Sequence, residues 1–486
     1  MIYLMKKDIN LGYLFFISFV AALGGFLFGY DTAVISGTIS QVSSQFALDA
    51  INQGWYVGCA LLGSIGGVAV AGMLGDWLGR KKAMIVSAVL FSASAIGCAL
   101  KSTFGELVLW RIVGGAGIGV ASIICPLYIS ELAAAEYRGR LVSLYQLAVT
   151  IGFVGAYLVN YGLLTYSEGA LAADGIFDRV FVSEVWRGML GMETLPAVLF
   201  FLIIFFIPES PRWLLAHGRV SRGRVVLGRV FTSSAAADAE MAAVEASLGN
   251  TSSAGSDWRL LLKPNLLVAV LIGAAIAILG QFMGVNAVLY YGPTIFEDAG
   301  LSAGDSLFYQ VMVGAVNTLT TVAALLLIDK VGRKQLVYWG VSGMIISLLL
   351  IAGYFTYEAS LGLSSLWLLT FFLIYIMCCA GSICAVVFVL LSEMYPTKIR
   401  ALAMSVAGLA LWIGTYLVGQ LTPWLLANLM PAGTFLLFAA MCVPYMLIMW
   451  RAVPETTGKT LEEIEKYWEK EPSGAAGAVS DRASSI

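Results

Sequence analysis

The chain has 486 residues, of which 59% are hydrophobic and 12% are charged, and its mean hydropathy is +0.87. A soluble globular domain carries roughly 25% charged residues, so the composition predicts an all-α integral membrane protein with many spans. The net charge of −2 argues against a nucleic-acid-binding protein, which needs a basic face.

Residues that bind metals or form disulfides are few. The seven cysteines all fall inside apolar runs, and the single histidine, His217, cannot build a metal cluster. No Gly-x-x-x-x-Gly-Lys-Ser/Thr sequence occurs, so no nucleotide-binding loop is predicted. We expect no metal, no cofactor and no enzymatic nucleophile–base pair.

Twelve apolar runs are long enough to cross a bilayer, which takes about 20 residues. They are approximately 11–38, 54–75, 83–101, 104–125, 140–164, 189–207, 266–291, 307–328, 336–356, 365–391, 401–426 and 432–452. The predicted parts are a six-helix half (1–207), a cytoplasmic helical linker (208–263), a second six-helix half (264–456) and a cytoplasmic tail (457–486).

Positive charge predicts the orientation, because cytoplasmic loops are enriched in Lys and Arg. Basic residues cluster after the second, fourth, eighth and tenth runs and in the linker, whereas the alternate loops hold Lys101, Arg179 and Arg187. Both termini and the linker are therefore expected on the cytoplasmic side of the cell membrane. Within the linker, Ala235–Leu248 predicts a short amphipathic helix, and the small, polar segment 472–486 is expected to be disordered.

The seventh run contains an unusually polar stretch, Leu279 to Pro293. It carries Gln281, Asn286 and Tyr290, and it is interrupted by glycines. Polar residues within a membrane span usually face the interior of the helix bundle or a water-filled cavity. Amide, hydroxyl and aromatic groups on one glycine-broken helix are what a neutral polyhydroxyl ligand needs.

The chain contains an internal repeat. Asp76-Trp-Leu-Gly-Arg-Lys81 after the second run matches Asp329-Lys-Val-Gly-Arg-Lys334 after the eighth, and Ser130-Glu131 with Arg138 matches Ser392-Glu393 with Arg400. Each motif alone could be a charged turn that ends a helix. Their paired recurrence indicates two related six-helix halves that rock about a central site.

With these motifs the chain resembles the major facilitator superfamily, specifically its sugar porter family of bacterial proton-coupled symporters and glucose facilitators. The resemblance covers approximately residues 11–467. The motifs that carry it are Gly29-Tyr-Asp-Thr-Ala-Val-Ile-Ser-Gly37, the two Asp-x-x-Gly-Arg-Lys turns, Glu131 with Arg138-Gly-Arg140, Pro208-Glu-Ser-Pro-Arg-Trp213, Gln281 to Pro293, and Pro454-Glu-Thr-Thr-Gly-Lys459.

The resemblance implies a monosaccharide site between the halves. Gln281, Asn286 and Asn317 match amides that hydrogen-bond sugar hydroxyls, Phe28 and Tyr290 match pocket walls, and Trp412 matches a tryptophan of the eleventh span. The departures from the family are Gly280 for a glutamine, Phe153 for a glutamine, Phe388 for a tryptophan, Leu411 for a glutamine, Thr415 for an asparagine, and Cys384-Ala385 for a Gly-Pro break. A site that lacks such partners discriminates less strongly for the hydroxyls of glucose or xylose, which leaves a polyol, a cyclitol or a less hydroxylated sugar open as the substrate.

Two residues are predicted to couple transport to protons. Asp31 is an acid deep in the first span, and Arg111 in the fourth span matches the family's partner for it. A charge at the bilayer centre costs at least ~2.5 kcal/mol, so such an acid needs a partner or a role. The alternative is a static structural ion pair.

Charged residues at the cytoplasmic helix ends are predicted to latch that side of the protein when the site faces outward. They are Asp76, Arg80, Glu131, Arg138, Glu209, Arg212, Asp329, Arg333, Glu393, Arg400 and Glu455. The sequence therefore predicts a transporter that works as a monomer and takes up a sugar or polyol with a proton. An uncoupled uniporter and, more distantly, a non-transporting membrane sensor of sugar are the alternatives.

Overall fold

A computed structural model describes residues 9–170, 175–251, 263–396 and 399–455. In these residues eleven helical stretches are long and apolar enough to cross a membrane, and the last, Leu402–Arg451, is interrupted at Met430 (φ 60°, ψ 164°). With that interruption the bundle has the twelve spans that the sequence predicted. The spans, in order, are Leu11–Val34, Ala50–Leu78, Arg80–Leu100, Phe104–Leu132, Ala135–Gly169, Val185–Gly191 with Thr194–Ile204, Pro264–Phe282 with Val285–Asp298, Ala303–Val331, Arg333–Leu361, Ser365–Ala380 with Ile383–Met394, and the two parts of Arg400–Arg451.

Small residues allow helices of the same half to pack with their backbones in contact. In the second and fourth spans a Cβ atom on Gly63 would collide with the Ile112 carbonyl, and one on Gly115 would collide with the Ala60 carbonyl. Because lipid tails are as apolar as leucine, membrane helices associate through such close packing rather than through the hydrophobic effect.

The sequence repeat is also a repeat of backbone conformation. Gly79 and Gly332, the glycines of the two Asp-x-x-Gly-Arg-Lys turns, both have φ 96°, a value that favours glycine. The following arginines form equivalent ion pairs, Arg80 with Glu131 and Arg333 with Glu393, each with a nitrogen–oxygen distance of 3.0 Å. We call the end of the bundle that carries these turns and the linker the linker side, and the opposite end the far side.

The linker is helical, as predicted. Its described helices are Pro211–Ala216, Val220–Val230 and Ser234–Thr251, and the last contains the predicted Ala235–Leu248 segment. The amphipathic helix is instead Val220–Val230, which buries Val226 and Leu227 and exposes its arginines. The remainder of the linker, 252–262, and the tail from residue 456 lie outside the described residues.

Two prolines leave a carbonyl of their own helix without its N–H partner, and each of these carbonyls accepts hydrogen bonds from another span. Pro293 has no N–H for the Leu289 carbonyl, which instead accepts hydrogen bonds from the Tyr157 hydroxyl (2.9 Å) and Gln310 Nε2 (3.1 Å). In the eleventh span Pro423 likewise frees the Gly419 carbonyl, which accepts the Tyr291 hydroxyl (2.6 Å). Tyr157 belongs to the first half and Leu289 to the second, so the first of these bonds links the halves.

Other hydrogen bonds also cross between the halves, from Thr318 to the Thr150 carbonyl and from Gln420 to the Ile51 carbonyl, and a further one lies at the far side. The Ser40 hydroxyl donates to Glu297 Oε2 at 2.6 Å, from the helix after the first span to the end of the seventh. Together with the Tyr157–Leu289 bond, it holds the two halves against each other at that end of the bundle.

The predicted orientation can be tested with paired cysteines. Ser234 is exposed in the linker and Ser360 is exposed at the far end of the ninth span. In a Cys384→Ser background, we expect a membrane-impermeant maleimide to label Ser360→Cys in intact cells and Ser234→Cys only after permeabilisation. Labelling of Ser234→Cys in intact cells would reverse the assignment.

Candidate functional site

The seventh span is broken at Gly284. Gly284 has φ 90° and ψ 11°, and a Cβ atom there would collide with the Phe438 ring. The Tyr375 hydroxyl donates to the Met283 carbonyl at 2.7 Å, which satisfies a backbone group at the break. The break places Gln281 at the end of one helix and Asn286 at the start of the next.

These two amides contact each other across the break. Asn286 Nδ2 donates to Gln281 Oε1 at 2.7 Å, and both side chains are half-buried. The Thr415 hydroxyl lies 3.2 Å from the same Gln281 oxygen and 2.9 Å from the Leu411 carbonyl, so its single proton is shared between them. Thr415 stands where the family has an asparagine. Its hydroxyl nevertheless contacts Gln281, and we call Gln281, Asn286 and Thr415 the amide–hydroxyl cluster.

Aromatic rings from both halves meet at the span that carries Thr415. The Phe28 and Trp412 rings are 5.9 Å apart with an angle of 32° between their planes, and they come from the first and eleventh spans. Phe153 is buried and makes an edge contact with Tyr157 (6.2 Å). Aromatic faces of this kind pack against the C–H groups of a ligand while amides bond its polar groups.

The tenth span is also broken, although the family's Gly-Pro pair is absent. Its two helices, Ser365–Ala380 and Ile383–Met394, are separated at Gly381–Ser382. On the second helix Cys384 is exposed and Phe388, one turn later, is 52% exposed. We expect this exposed face to border the central cavity.

Asn317 is the one predicted amide that the structure does not join to the cluster. It is half-buried in the eighth span, and its backbone carbonyl accepts the Thr321 hydroxyl at 2.8 Å. Within the described residues its side chain forms no hydrogen bond to Gln281 or Asn286.

Asp31 and Arg111 form an ion pair inside the first half. Arg111 Nη1 lies 2.5 Å from Asp31 Oδ1, and the two side chains are 3% and 1% exposed. Asp31 is three residues after Phe28, approximately 4.5 Å along the same helix. The predicted proton-coupling pair is therefore one helical turn from an aromatic wall of the candidate pocket.

A second buried acid, Glu193, faces this pair, and the sequence analysis missed it. Glu193 is 2% exposed, and its carboxyl interacts with Asp31 and Arg111. Asp31 Oδ2 and Glu193 Oε1 are both buried with no hydrogen-bond donor among the described residues. Two carboxyls and one guanidinium therefore lie together in a region withdrawn from water. A lone acid within the apolar run 189–207 was the sequence signal.

Tyr290 is buried in the seventh span, four residues after Asn286. Its ring lies against the eleventh span, where a Cβ atom on Gly419 would be 3.8 Å from it.

The charged residues of the linker side form pairs within each half. Arg80 contacts Glu131 and Asp76, and Glu131 also accepts the Ser210 hydroxyl at 2.6 Å. Burial raises the pKa of Glu209, and this effect outweighs the hydrogen bonds from backbone N–H groups, which lower the same pKa. Arg138 and Arg400 bond the carbonyls five residues before them, Ala133 and Tyr395, which repeats one geometry in both halves.

The other predicted latch residues are less informative. Arg212 is exposed, and Glu455 is the last described residue. The structure does not describe the side chain of Asp329. The latch between the halves stays a prediction.

Comparison with known proteins decides the family. The sequence profile described as "Sugar (and other) transporter" matches residues 17–468. The chain belongs to this sugar transporter family. Sugar transporters are transport proteins rather than enzymes, and membership with twelve spans makes the chain a multi-pass plasma-membrane protein.

Its curated relatives match over nearly their whole length. The D-xylose-proton symporter of Escherichia coli is 35% identical over 96% of this chain and 98% of that protein. The arabinose-proton symporter of Bacillus subtilis is 36% identical over 96% and 97%. The glucose transport protein of Synechocystis is 36% identical over 94% and 98%.

Solved structures agree with the fold. The inward-open conformation of the E. coli xylose transporter matches with a TM-score of 0.79 at 34% identity, covering 94% of this chain and all of that one. The same transporter bound to 6-bromo-6-deoxy-D-glucose matches with a TM-score of 0.75 at 35% identity over 95% and 100%. The major facilitator fold predicted from the sequence is thereby confirmed.

Accessibility of Cys384 tests whether the face of the tenth span borders water. Cys384 is the exposed cysteine, while Cys59, Cys98, Cys125, Cys379 and Cys442 are buried. We expect a charged, membrane-impermeant maleimide to label the purified native protein once, and Cys384→Ser to abolish that label. No label on the native protein, or an unchanged label in Cys384→Ser, would show that the reagent does not reach Cys384; the second result would point to the partly exposed Cys378.

Proposed function

We propose that the protein imports a monosaccharide, or a related polyol or cyclitol, together with a proton, by alternating access between its two halves. The observation that carries the proposal is the buried Asp31–Arg111–Glu193 trio, one helical turn from Phe28, whose ring contacts Trp412 of the other half. Proton uptake at the trio and substrate contact at Phe28 thus act on the same helix.

Substrate recognition is assigned to the amide–hydroxyl cluster and its aromatic walls. Gln281 Oε1 accepts from Asn286, which leaves Gln281 Nε2 to donate and Asn286 Oδ1 to accept toward a ligand. A substrate hydroxyl does both, so adjacent hydroxyls of a sugar or polyol suit the pair. Phe28, Trp412, Tyr290, Phe153 and Phe388 supply the apolar surface, and Asn317 is proposed to join on closure.

The proton cycle follows from the charges. When one of the acids is protonated, the remaining carboxylate neutralises Arg111, and the trio has no net charge inside the membrane. When both acids are ionised, the trio carries excess negative charge, which favours reloading with a proton before the next cycle. An uncoupled uniporter is the alternative, in which the same trio would be a static element of packing.

We further propose a monomeric transporter that is gated by ion pairs on the linker side. The candidate site lies between the two halves of one chain, so a monomer suffices. The basic residues of the linker-side loops support a cytoplasmic location for both termini and the linker. The linker-side ion pairs, now within each half, are proposed to exchange partners between halves when the far side opens.

Substrate affinity tests the cluster. Removing one partner of a buried hydrogen bond costs roughly 1–3 kcal/mol, so Gln281→Ala and Asn286→Ala should each weaken binding about 5- to 150-fold. Binding would be measured by substrate protection of Cys384 from maleimide, across a panel of pentoses, hexoses, polyols and cyclitols. Thr415→Val should also weaken binding.

The matched control is Thr422→Val. Thr422 lies two turns further along the same span, and its hydroxyl bonds the Val418 carbonyl of its own helix. We expect affinity to be unchanged in this variant. Unaltered affinity in both Gln281→Ala and Asn286→Ala would move the site elsewhere.

Paired transport assays test the coupling. Asp31→Asn keeps the shape of the side chain and removes its charge, so it mimics the protonated form permanently. In proteoliposomes this variant should exchange substrate by counterflow but fail to concentrate it under an inward proton gradient. Glu168→Gln, an exposed acid at the end of the fifth span, should behave like the unmodified protein.

Glu193→Gln distinguishes the two acids. If Asp31→Asn accumulates substrate and Glu193→Gln does not, Glu193 carries the proton. If the double variant still accumulates substrate, the proton-coupled reading is wrong and the uniporter remains.

A further inference from the structure

A second cavity lies on the linker side, away from the candidate substrate site. Its volume is about 690 Å³, and its walls are the start of the third span, the end of the sixth span and the linker helix Val220–Val230. Every residue that lines it falls between Leu78 and Arg229. The cavity therefore belongs to the first half and its linker and shares no residue with the pocket between the halves.

The walls of this cavity are strongly basic. Five cations line it, namely Lys81, Lys82, Arg219, Arg222 and Arg229, against one carboxylate, Glu209. One Glu209 oxygen already accepts two backbone N–H groups, those of Lys81 (3.1 Å) and Ser210 (2.9 Å). Glu209 also interacts with Lys81, so one carboxylate offsets one of the five cations and the cavity keeps a net positive charge.

The arginines of the linker helix are arranged asymmetrically. Arg224 points to a neighbouring helix and pairs with Asp238 at 2.8 Å. Arg222 and Arg229, seven residues apart, lie on the face that lines the cavity, and they are exposed without an acidic partner among the described residues. Guanidinium groups in this state are ready to bind a phosphate through two parallel N–H bonds.

Between these cations the cavity is apolar. Val225 lies between Arg222 and Arg229 on the same helix face and is 57% exposed, and Phe205 at the end of the sixth span is 53% exposed. The next residue, Phe206, is 74% exposed at the same helix end, where a membrane span meets the bilayer surface. A cationic rim beside an apolar wall at this height matches a lipid headgroup followed by its acyl chain.

We propose that this cavity binds an anionic phospholipid of the bilayer leaflet on the linker side. Arg222, Arg229 and Lys82 take the phosphate, and the first part of an acyl chain lies along Val225 and Phe205. A soluble phosphorylated metabolite would use the cations but leave the apolar wall in water. The proposal does not depend on which substrate the transporter carries or on proton coupling.

The test measures lipid retention by the full-length protein. The protein is reconstituted in nanodiscs of phosphatidylcholine with phosphatidylglycerol, and the lipids that stay bound after detergent extraction are counted by native mass spectrometry. We expect phosphatidylglycerol to be retained over phosphatidylcholine. Each juxtamembrane cation contributes about fivefold to anionic-lipid affinity, so Arg222→Gln with Arg229→Gln should lower retention roughly 25-fold.

The control is Arg224→Gln, which removes the same charge from the other face of the same helix and should leave retention unchanged. All three arginines are exposed, and the melting temperature in detergent checks that the variants fold. Equal retention of the two lipids, or equal retention in the double variant and the control, overturns the proposal.

A final comparison separates a lipid from a free phosphate. Val225→Asn should weaken phosphatidylglycerol retention and leave the affinity for glycerol phosphate unchanged. If glycerol phosphate binds as tightly as the lipid and Val225→Asn has no effect, the cavity binds a soluble phosphate compound and the lipid assignment is wrong.

Discussion

Burial of charge inside the first half is the constraint on which the rest of the structure depends. Asp31, Arg111 and Glu193 are buried. Moving an unpaired ion out of water into the protein interior costs several kcal/mol. At Gly114, close to Asp31, a Cβ atom would collide with the Ser94 hydroxyl. The first half thus holds two acids and one base in its interior.

Backbone carbonyls that have no hydrogen-bond partner within their own helix are the second constraint on the structure. In a bilayer each free carbonyl needs a partner inside the protein. Prolines and Gly284 free carbonyls in the seventh and eleventh spans, and tyrosine hydroxyls satisfy three of them, at Leu289, Met283 and Gly419. Breaking the helices thus opens the polar site and at the same time supplies the bonds that join neighbouring spans. One of these bonds, from Tyr157, crosses between the halves.

Much of this architecture can be predicted from the sequence because a bilayer-spanning segment must be a helix of about 20 apolar residues. Apolar runs of fixed length predicted all twelve spans, and the paired Asp-x-x-Gly-Arg-Lys turns predicted a repeat that reappears as equal φ angles at Gly79 and Gly332. Helix bounds differ by several residues, since spans continue past the apolar run: the second begins at Ala50 and the fourth ends at Leu132. The amphipathic linker helix was assigned to Ala235–Leu248, whereas Val220–Val230 carries that pattern, because its alternation of arginine and valine reads locally as a basic loop.

By itself the sequence determined the fold class, the number of spans and the residue types of the site, because periodicity, hydropathy and motif spacing are local properties. The tertiary structure decided which of those residues meet. It joined Gln281 to Asn286 and Thr415, left the Asn317 side chain apart from them, and brought Glu193 to the Asp31–Arg111 pair from a span more than 80 residues further along the chain. Contacts of this kind depend on how helices rotate and approach each other, and close packing at glycines such as Gly63, Gly115 and Gly284 restricts both.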